Sequence, residues 1–265
     1  MKVSLLQMSI RFQDPEANIK ALRHLMEEAM TQRPDAVLLP ELWNIGFYPK
    51  PPLEWAKNSE AESRKVLSEL AAHYQVNIVG GSIATVHGDK VRNTCCVLDR
   101  SGALIASYDK THLFSPMKEH EDFIAGNRLI TFSLDSFKCA VVLCYDIRFP
   151  ELIRRLALED IDVLFLAAAW PMERLIHWQT LIRARAIENQ IFVVAANGAG
   201  IFPEGLQMAG HSAIIGPWGE ILAEAPEGEA ILHANLKPII RQQIRESINV
   251  FADRRPELYG DALTR

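Results

Sequence analysis

The sequence predicts an α/β fold. Apolar strand-like runs alternate with helical stretches along the chain, and charged or nucleophilic residues recur just past the strand ends. No linker rich in Gly, Ser or Pro interrupts the alternation, so one domain over residues 1–265 is expected, with a polar C-terminal arm from about residue 238 that packs elsewhere. At 265 residues and 49% hydrophobic content, the chain has the material for a sizeable core.

Met1 to Met8 reads as a first buried strand, because Gln7 and Arg11 interrupt its apolar run and no small-residue cleavage pattern follows. Asp14-Pro15 supplies an N-cap and a first-turn proline for a helix with Leu22, Leu25, Met26, Ala29 and Met30 on one face. Ala36 to Leu39 is a short strand that ends at Pro40-Glu41. Ser59 and Glu62 have capping-box spacing, and the helix they open buries Val66, Leu67, Leu70, Ala71 and Tyr74. Asn77 to Gly80 is the next strand. Thr94 to Leu98 and Ala103 to Tyr108 flank Asp99-Arg-Ser-Gly102 as a β-hairpin that delivers Lys110.

Lys138 to Leu143 is a strand ending at Cys144, and Pro150 opens a helix through Glu159. Asp162 to Ala168 is a strand ending near Trp170, Glu173 to Asn189 a long helix, and Ile191 to Ala196 a strand ending at Asn197. Gly216-Pro-Trp-Gly219 marks a second hairpin. The outlines of Asp35 to Trp43 and Asp162 to Trp170 match, which hints at two related halves.

Composition excludes several classes. The formal charge of -5 comes from 33 acidic and 28 basic residues scattered along the chain, without the basic run a nucleic acid requires. No apolar stretch approaches the about 18 residues of a membrane span. Four cysteines without CxxC pairs read as reduced thiols in a cytoplasm, and eight histidines without HxH or HExxH spacing give no metal site. Neither GxxxxGK[ST] nor GxGxxG occurs, so no nucleotide cofactor is expected.

Glu41, Lys110, Cys144, Trp170 and Asn197 each fall at or past the C-terminal end of an expected strand, where loops converge in α/β sheets. Strand-end charges are also common because chains leave the core there. Cys95 and Cys96 sit mid-strand and read as core, and Cys139 lies an odd number of residues from Cys144 and faces the other way. Cys144 stands at a strand-to-helix junction, where the helix N-terminus favours thiolate; position alone leaves core burial and a nucleophilic role equally open. Glu41, flanked by Pro40, Leu42 and Trp43, suits a general base, and Lys110 suits both thiol activation and oxyanion stabilisation. A salt bridge explains either charge equally well, and His112 or His211 remains open as an alternative partner for the thiol.

Three motifs occur in order: Leu39-Pro-Glu41, Tyr108-Asp-Lys-Thr-His-Leu-Phe114, and Leu143-Cys-Tyr-Asp-Ile-Arg-Phe-Pro-Glu-Leu152. Together they resemble the Glu, Lys and Cys motifs of the nitrilase superfamily, and the likeness runs from Val3 to the Arg254 to Tyr259 tail. The resemblance implies a four-layer α-β-β-α sandwich and a homodimer or higher homo-oligomer that doubles the sandwich across a subunit interface. It also implies a Glu41-Lys110-Cys144 triad needing no cofactor, and a second glutamate after the lysine motif. Glu119, seven residues before Gly126, matches that position better than Glu121. Phe114, Glu119-His120, Trp170-Pro171, Arg174, His177 and Trp178 are similar to the omega-amidase and 2-oxoglutaramate amidase branch. That branch releases ammonia from the terminal amide of small carboxylate-bearing amides through a thioester.

On this likeness Arg174 receives the substrate carboxylate, Trp170 and Phe114 form apolar walls, and the Tyr145 backbone N–H assists at the oxyanion. A surface role for Arg174 stays equally open. The same triad would serve a nitrilase, an N-carbamoyl hydrolase or an aliphatic amidase, and a binding protein that kept the fold without turnover is the reading from another class.

Overall fold

The computed structural model describes residues 1–259 apart from the Glu204 side chain; residues 260–265 of the expected domain lie outside the described residues. In chain order the elements begin β1 Lys2–Gln7, α1 Pro15–Met30, β2 Ala36–Leu38, α2 Pro52–Tyr74, β3 Asn77–Val79, β4 Ile83–His87, β5 Lys90–Leu98, β6 Leu104–Asp109 and α3 Glu119–Asp122. There follow β7 Thr131–Leu134, β8 Phe137–Leu143, α4 Pro150–Ala157, β9 Val163–Ala168, α5 Leu175–Asn189, β10 Phe192–Asn197, β11 Ala213–Ile215, β12 Ile221–Glu224, β13 Ala230–Asn235, α6 Pro238–Ser247 and α7 Pro256–Tyr259.

Two sheets form the centre. In the first, β1, β2 and β3 run parallel, β13 closes one side antiparallel, and β5 pairs with β3 and β4 along one edge and with β6 along the other. The second has the order β12-β11-β10-β9-β8-β7, with β8, β9 and β10 parallel. Strand β9 shows how the layers stack. Val163, Phe165 and Ala167 join Val3, Leu5 and Val97 between the sheets, while Leu164, Leu166 and Ala168 pack against α4 and α5 through Leu156, Trp178 and Ile182. Leu22, Met26, Val66 and Leu70 of α1 and α2 cover the other face of the first sheet. The result is a four-layer α-β-β-α sandwich. Strands buried on both faces account for the unbroken apolar runs.

The two halves repeat in detail. Asp35 donates its backbone N–H to the Lys2 carbonyl at 2.7 Å and accepts the Lys2 N–H on its carboxylate at 2.8 Å. Asp162 makes the same pair of bonds with Lys138, at 2.7 and 2.9 Å. Each aspartate therefore sets the register of one parallel triplet from the first strand to the second, and the similar outlines of the two segments are one solution used twice.

Local chemistry explains the element starts. The Asp14 side chain accepts the Ala17 N–H at 3.0 Å, the expected cap of α1. The capping box expected at Ser59 is not one: α2 already begins at Pro52, and the Ser59 hydroxyl bonds the Trp55 carbonyl at 2.7 Å inside the helix. Pro52 opens that helix because a proline lacks only an N–H that the first turn leaves unused. A 3₁₀ turn over Met172–Arg174 precedes α5, so the helix starts at Leu175 rather than Glu173. The expected arm begins with α6, whose Arg241 and Arg245 both pair with Asp160. No helix among the described residues is long and apolar enough to cross a membrane.

Gly81 governs how the first sheet presents Glu41. Its φ is +59°, and a Cβ there would stand 2.0 Å from the Pro40 carbonyl oxygen, a backbone atom with nowhere to go. Gly81→Ala is expected to cost about 2–4 kcal/mol through strain and overpacking, read as a lower urea midpoint with an unchanged slope.

Candidate active site

Four strand ends converge at one end of the sandwich. Glu41 follows β2, Lys110 follows β6, Cys144 follows β8 and Ala169 follows β9. Glu41 bridges the sheets, since its N–H reaches the Ala168 carbonyl at 3.3 Å and its Oε2 accepts the Ala169 N–H at 3.0 Å. The Lys110 ammonium donates to Glu41 Oε1 at 2.9 Å and to Glu119 Oε2 at 3.0 Å, and all three side chains are fully buried. Glu119 Oε2 also accepts the Phe114 N–H at 2.6 Å, which folds the loop after β6 back over the lysine. Glu121, by contrast, pairs with Lys118 at the surface.

Cys144 sits at the elbow between β8 and a 3₁₀ turn over Cys144–Arg148, with a φ of 42°. That left-handed backbone turns the side chain out of the strand's alternation, a strained arrangement of the kind found at functional sites. Fully buried Asp146 holds the elbow. Its Oδ2 accepts the Leu143 N–H at 3.0 Å and the Tyr108 hydroxyl at 2.7 Å, and its Oδ1 accepts the His112 N–H at 2.9 Å. The carboxylate thus ties the strand that delivers Lys110 to the turn that delivers Cys144.

The electrostatics follow from burial. For Lys110, burial works against the ammonium, but the charges of Glu41 and Glu119 outweigh it and the pKa is raised. Glu41 also has a raised pKa: burial is the main cause, the Glu119 charge adds to it, and Lys110 opposes it. Both partners of the ion pair therefore move upward, which favours the charged ammonium and disfavours the charged carboxylate. A single cation is attracted by two carboxylates, whereas each carboxylate is also repelled by the other.

Burial likewise pushes the Cys144 thiol well above its ordinary value, with Glu41 adding to the shift and Lys110 and the Ala169 N–H opposing it. This runs against the thiolate preference expected from the neighbouring helix N-terminus. The elbow is only a short 3₁₀ turn, its dipole is small, and desolvation of the sulfur dominates.

Cys144 opens into a narrow cleft of about 50 Å³. Phe114, Tyr145, Trp170 and Arg174 line it, as do Arg148 and Phe47. The Arg174 guanidinium lies 5.3 Å from the Phe114 ring centroid, and that of Arg148 lies 4.7 Å from Trp170. Trp170 is anchored from behind: Asn197 Oδ1 accepts its N–H at 2.7 Å, and Trp178 packs 5.9 Å away. Asn197 is a splint for that loop and does not line the cleft. His112 bonds Asp146 and stacks on Phe149 at 3.6 Å, and His211 lies by Glu224, so the carboxylate beside the thiol is Glu41.

Arg148, Asp146 and Asn93 were not singled out from the sequence. Arg148 and Asp146 lie inside the cysteine motif and pass there for family signature. Asn93, within a strand whose other residues are mostly core, carries no signal. Among the described residues no group of three His, Cys, Asp or Glu side chains is arranged to hold a metal, and all four cysteines are free.

The family model for carbon-nitrogen hydrolases matches residues 2–245. The 2-oxoglutaramate amidase of Bacillus subtilis (strain 168) is 41% identical over 257 residues, covering 97% of this chain and 98% of that protein. The omega-amidase NIT2 of Homo sapiens is 33% identical over 251 residues, 92% of this chain and 91% of that one. Among solved structures, Saccharomyces cerevisiae Nit3, a member of branch 10 of the nitrilase superfamily, superposes with a TM-score of 0.84 at 31% identity over 94% of each chain.

The Asp146 hub yields a stability prediction. Asp146→Ala leaves two backbone N–H groups without their acceptor and the Tyr108 hydroxyl with Thr111 alone, and is expected to cost about 3–5 kcal/mol, whereas Tyr108→Phe is expected to cost about 1 kcal/mol. Equilibrium denaturation of both variants measures the difference.

Proposed function

This chain belongs to the carbon-nitrogen hydrolase family, and from that premise we propose that it is an omega-amidase, releasing ammonia from the terminal amide of small carboxylate-bearing amides such as 2-oxoglutaramate. The observation that carries the reading is a buried thiol beside a Glu41–Lys110–Glu119 array, at the floor of a cleft that also presents two guanidinium groups. An amide with a distal carboxylate complements both ends.

In this mechanism, the Glu41 carboxylate takes the proton of the Cys144 thiol as the sulfur attacks the amide carbon. The carbonyl π electrons move to oxygen and form a tetrahedral oxyanion. Lys110 has three N–H donors; with one on Glu41 and one shared between the two oxygens of Glu119, the third serves the oxyanion. The Tyr145 N–H, second in its 3₁₀ turn and so without a partner inside it, is the second donor. Glu41 then protonates the leaving nitrogen, the C–N bond breaks, and ammonia departs from a thioester. A water that Glu41 deprotonates attacks the thioester, the C–S bond breaks, and the thiol regains its proton. The residues need no cofactor for any of these steps. Glu119 holds Lys110 and the Phe114 loop in place, and Arg148 and Arg174 receive the carboxylate between Trp170 and Phe114.

The reading extends to assembly. Ile176 and Ile187 of α5 and Ile221 of β12 are exposed and line one shallow depression, with exposed Trp218 in the turn before β12. A second copy of the chain covers this face in a homodimer, consistent with a cytoplasmic enzyme whose cysteines stay reduced. Light scattering is expected to give the dimer mass for the parent and the monomer mass for Ile176→Asp combined with Ile187→Asp.

With 2-oxoglutaramate, glutamine and a simple nitrile side by side, ammonia release is expected from the keto-acid amide alone; preference for the nitrile overturns the substrate assignment. Intact mass is expected to reveal an acyl adduct with a slow substrate that is absent in Cys144→Ala, whose kcat falls by about 10³-fold or more. Arg148→Met is expected to raise KM about 10- to 100-fold with a smaller change in kcat, the mark of a lost binding contact. Because the raised pKa of Glu41 puts its ionisation above 4.5, kcat/KM is expected to climb with pH as the carboxylate forms, on a limb lying above that value and lost in Glu41→Gln.

A further inference from the structure

Glu41 has two carboxylate oxygens, and the fold treats them differently. Oε1 accepts from Lys110 Nζ at 2.9 Å and from Asn93 Nδ2 at 2.8 Å. Oε2 accepts only the Ala169 N–H among the hydrogen bonds resolved, at 3.0 Å, and that same N–H also faces the Cys144 sulfur. Asn93 is completely buried on β5, and its own carbonyl accepts the Lys110 N–H at 2.9 Å. One residue therefore grips both the base and the backbone of the lysine. The amide orientation follows from the contact, because turning it over would set Oδ1 against a carboxylate oxygen, acceptor against acceptor.

We propose that Asn93 is a positioning residue that determines which oxygen of Glu41 works as the base. With two donors on Oε1, one of them charged, that oxygen's lone pairs are engaged, and Oε2 is left as the site that takes the thiol proton. The terminal torsion of a glutamate is broad, so without a second donor on Oε1 nothing but Lys110 resists rotation of the carboxylate. A hydrogen bond to the ionised form also favours that form, so Asn93 lowers the pH at which the base becomes available. The ionisable groups facing Glu41 are Lys110 from the end of β6, Glu119 from α3 and Cys144 from the elbow. Arg92 and Asp109, beside them in sequence, pair with each other at 2.8 Å instead.

The inference rests on Glu41 acting as the base for Cys144, and the experiment separates the two. The readout is alkylation of Cys144 by iodoacetamide against pH, located by peptide mass spectrometry, which needs no knowledge of the substrate. The parent is expected to show a rising limb from Glu41 ionisation and Glu41→Gln to lack it; identical parent and Glu41→Gln profiles would refute the base assignment itself. Given that limb, Asn93→Ala is expected to move it upward by about one pH unit and to slow alkylation and kcat/KM about 10- to 100-fold, the range for a hydrogen bond to a charged group. Asn93→Asp keeps the shape but sets a second carboxylate against Oε1, so its limb is expected to lie higher still. A parental limb in Asn93→Ala, or a milder effect of the isosteric Asp than of Ala, would show that Asn93 only fills space and overturn the proposal. If one variant does not fold, the limb of the other decides.

Discussion

The buried ammonium of Lys110 is the constraint on which the active end of this molecule depends. Two fully buried carboxylates stand within 3.0 Å of it, and neither would be tolerable there without the cation. Such arrays contribute little net stability, since desolvation offsets most of the attraction, yet removing one member typically costs about 3–5 kcal/mol because an uncompensated charge is left behind. The array therefore specifies arrangement. Only a fold that brings the ends of β2 and β6 together with α3 can satisfy it, and the backbone is built accordingly: the Asn93 carbonyl fixes the Lys110 N–H, the Lys110 carbonyl accepts the Gly126 N–H at 2.8 Å, and the Phe114 N–H closes onto Glu119.

An odd number of charges has a chemical consequence. One cation between two glutamates keeps Lys110 firmly protonated while leaving Glu41 less acidic than an exposed carboxylate. Glu41 is thus poised to hold a proton briefly. The same burial raises the pKa of the thiol beside it. The proton transfer proposed from sulfur to carboxylate would take place within a desolvated pair whose two pKa values are both raised. In the proposed mechanism the negative charge that follows on a carbonyl oxygen is met by Lys110.

How much of this was legible in the sequence can be traced residue by residue. The parallel strands announced themselves because both of their faces are buried, and Asp14-Pro15 and Pro150 marked helix starts through their own chemistry. Ser59 misled because a capping-box spacing is local, whereas the start of α2 was set by Pro52 before it. The short strands β4 and β7 and the late strand β13 escaped notice, since their partly exposed residues lack a sustained apolar pattern. Glu41, Lys110, Glu119 and Cys144 were identifiable through their motifs. Asn93 and Asp146 were not, because their importance lies in partners 52 and 38 residues away, and only the folded register reveals those pairings.

The duplicated architecture explains why the site lies where it does. Asp35 and Asp162 anchor the starts of β2 and β9 with the same bonds, so the two central strands emerge at the same end of the sandwich, one in each sheet. What differs is the residue that follows. Six residues after its aspartate the first half places Glu41 and the second places Ala168, and the next residue, Ala169, directs its N–H to Glu41 Oε2 and the sulfur of Cys144. A larger residue at 169 would fill the floor of the cleft, and a carboxylate there would add a third negative charge beside one ammonium. The symmetry supplies a rigid meeting point for the strand ends, and breaking it at this position allows that meeting point to hold a carboxylate beside a thiol.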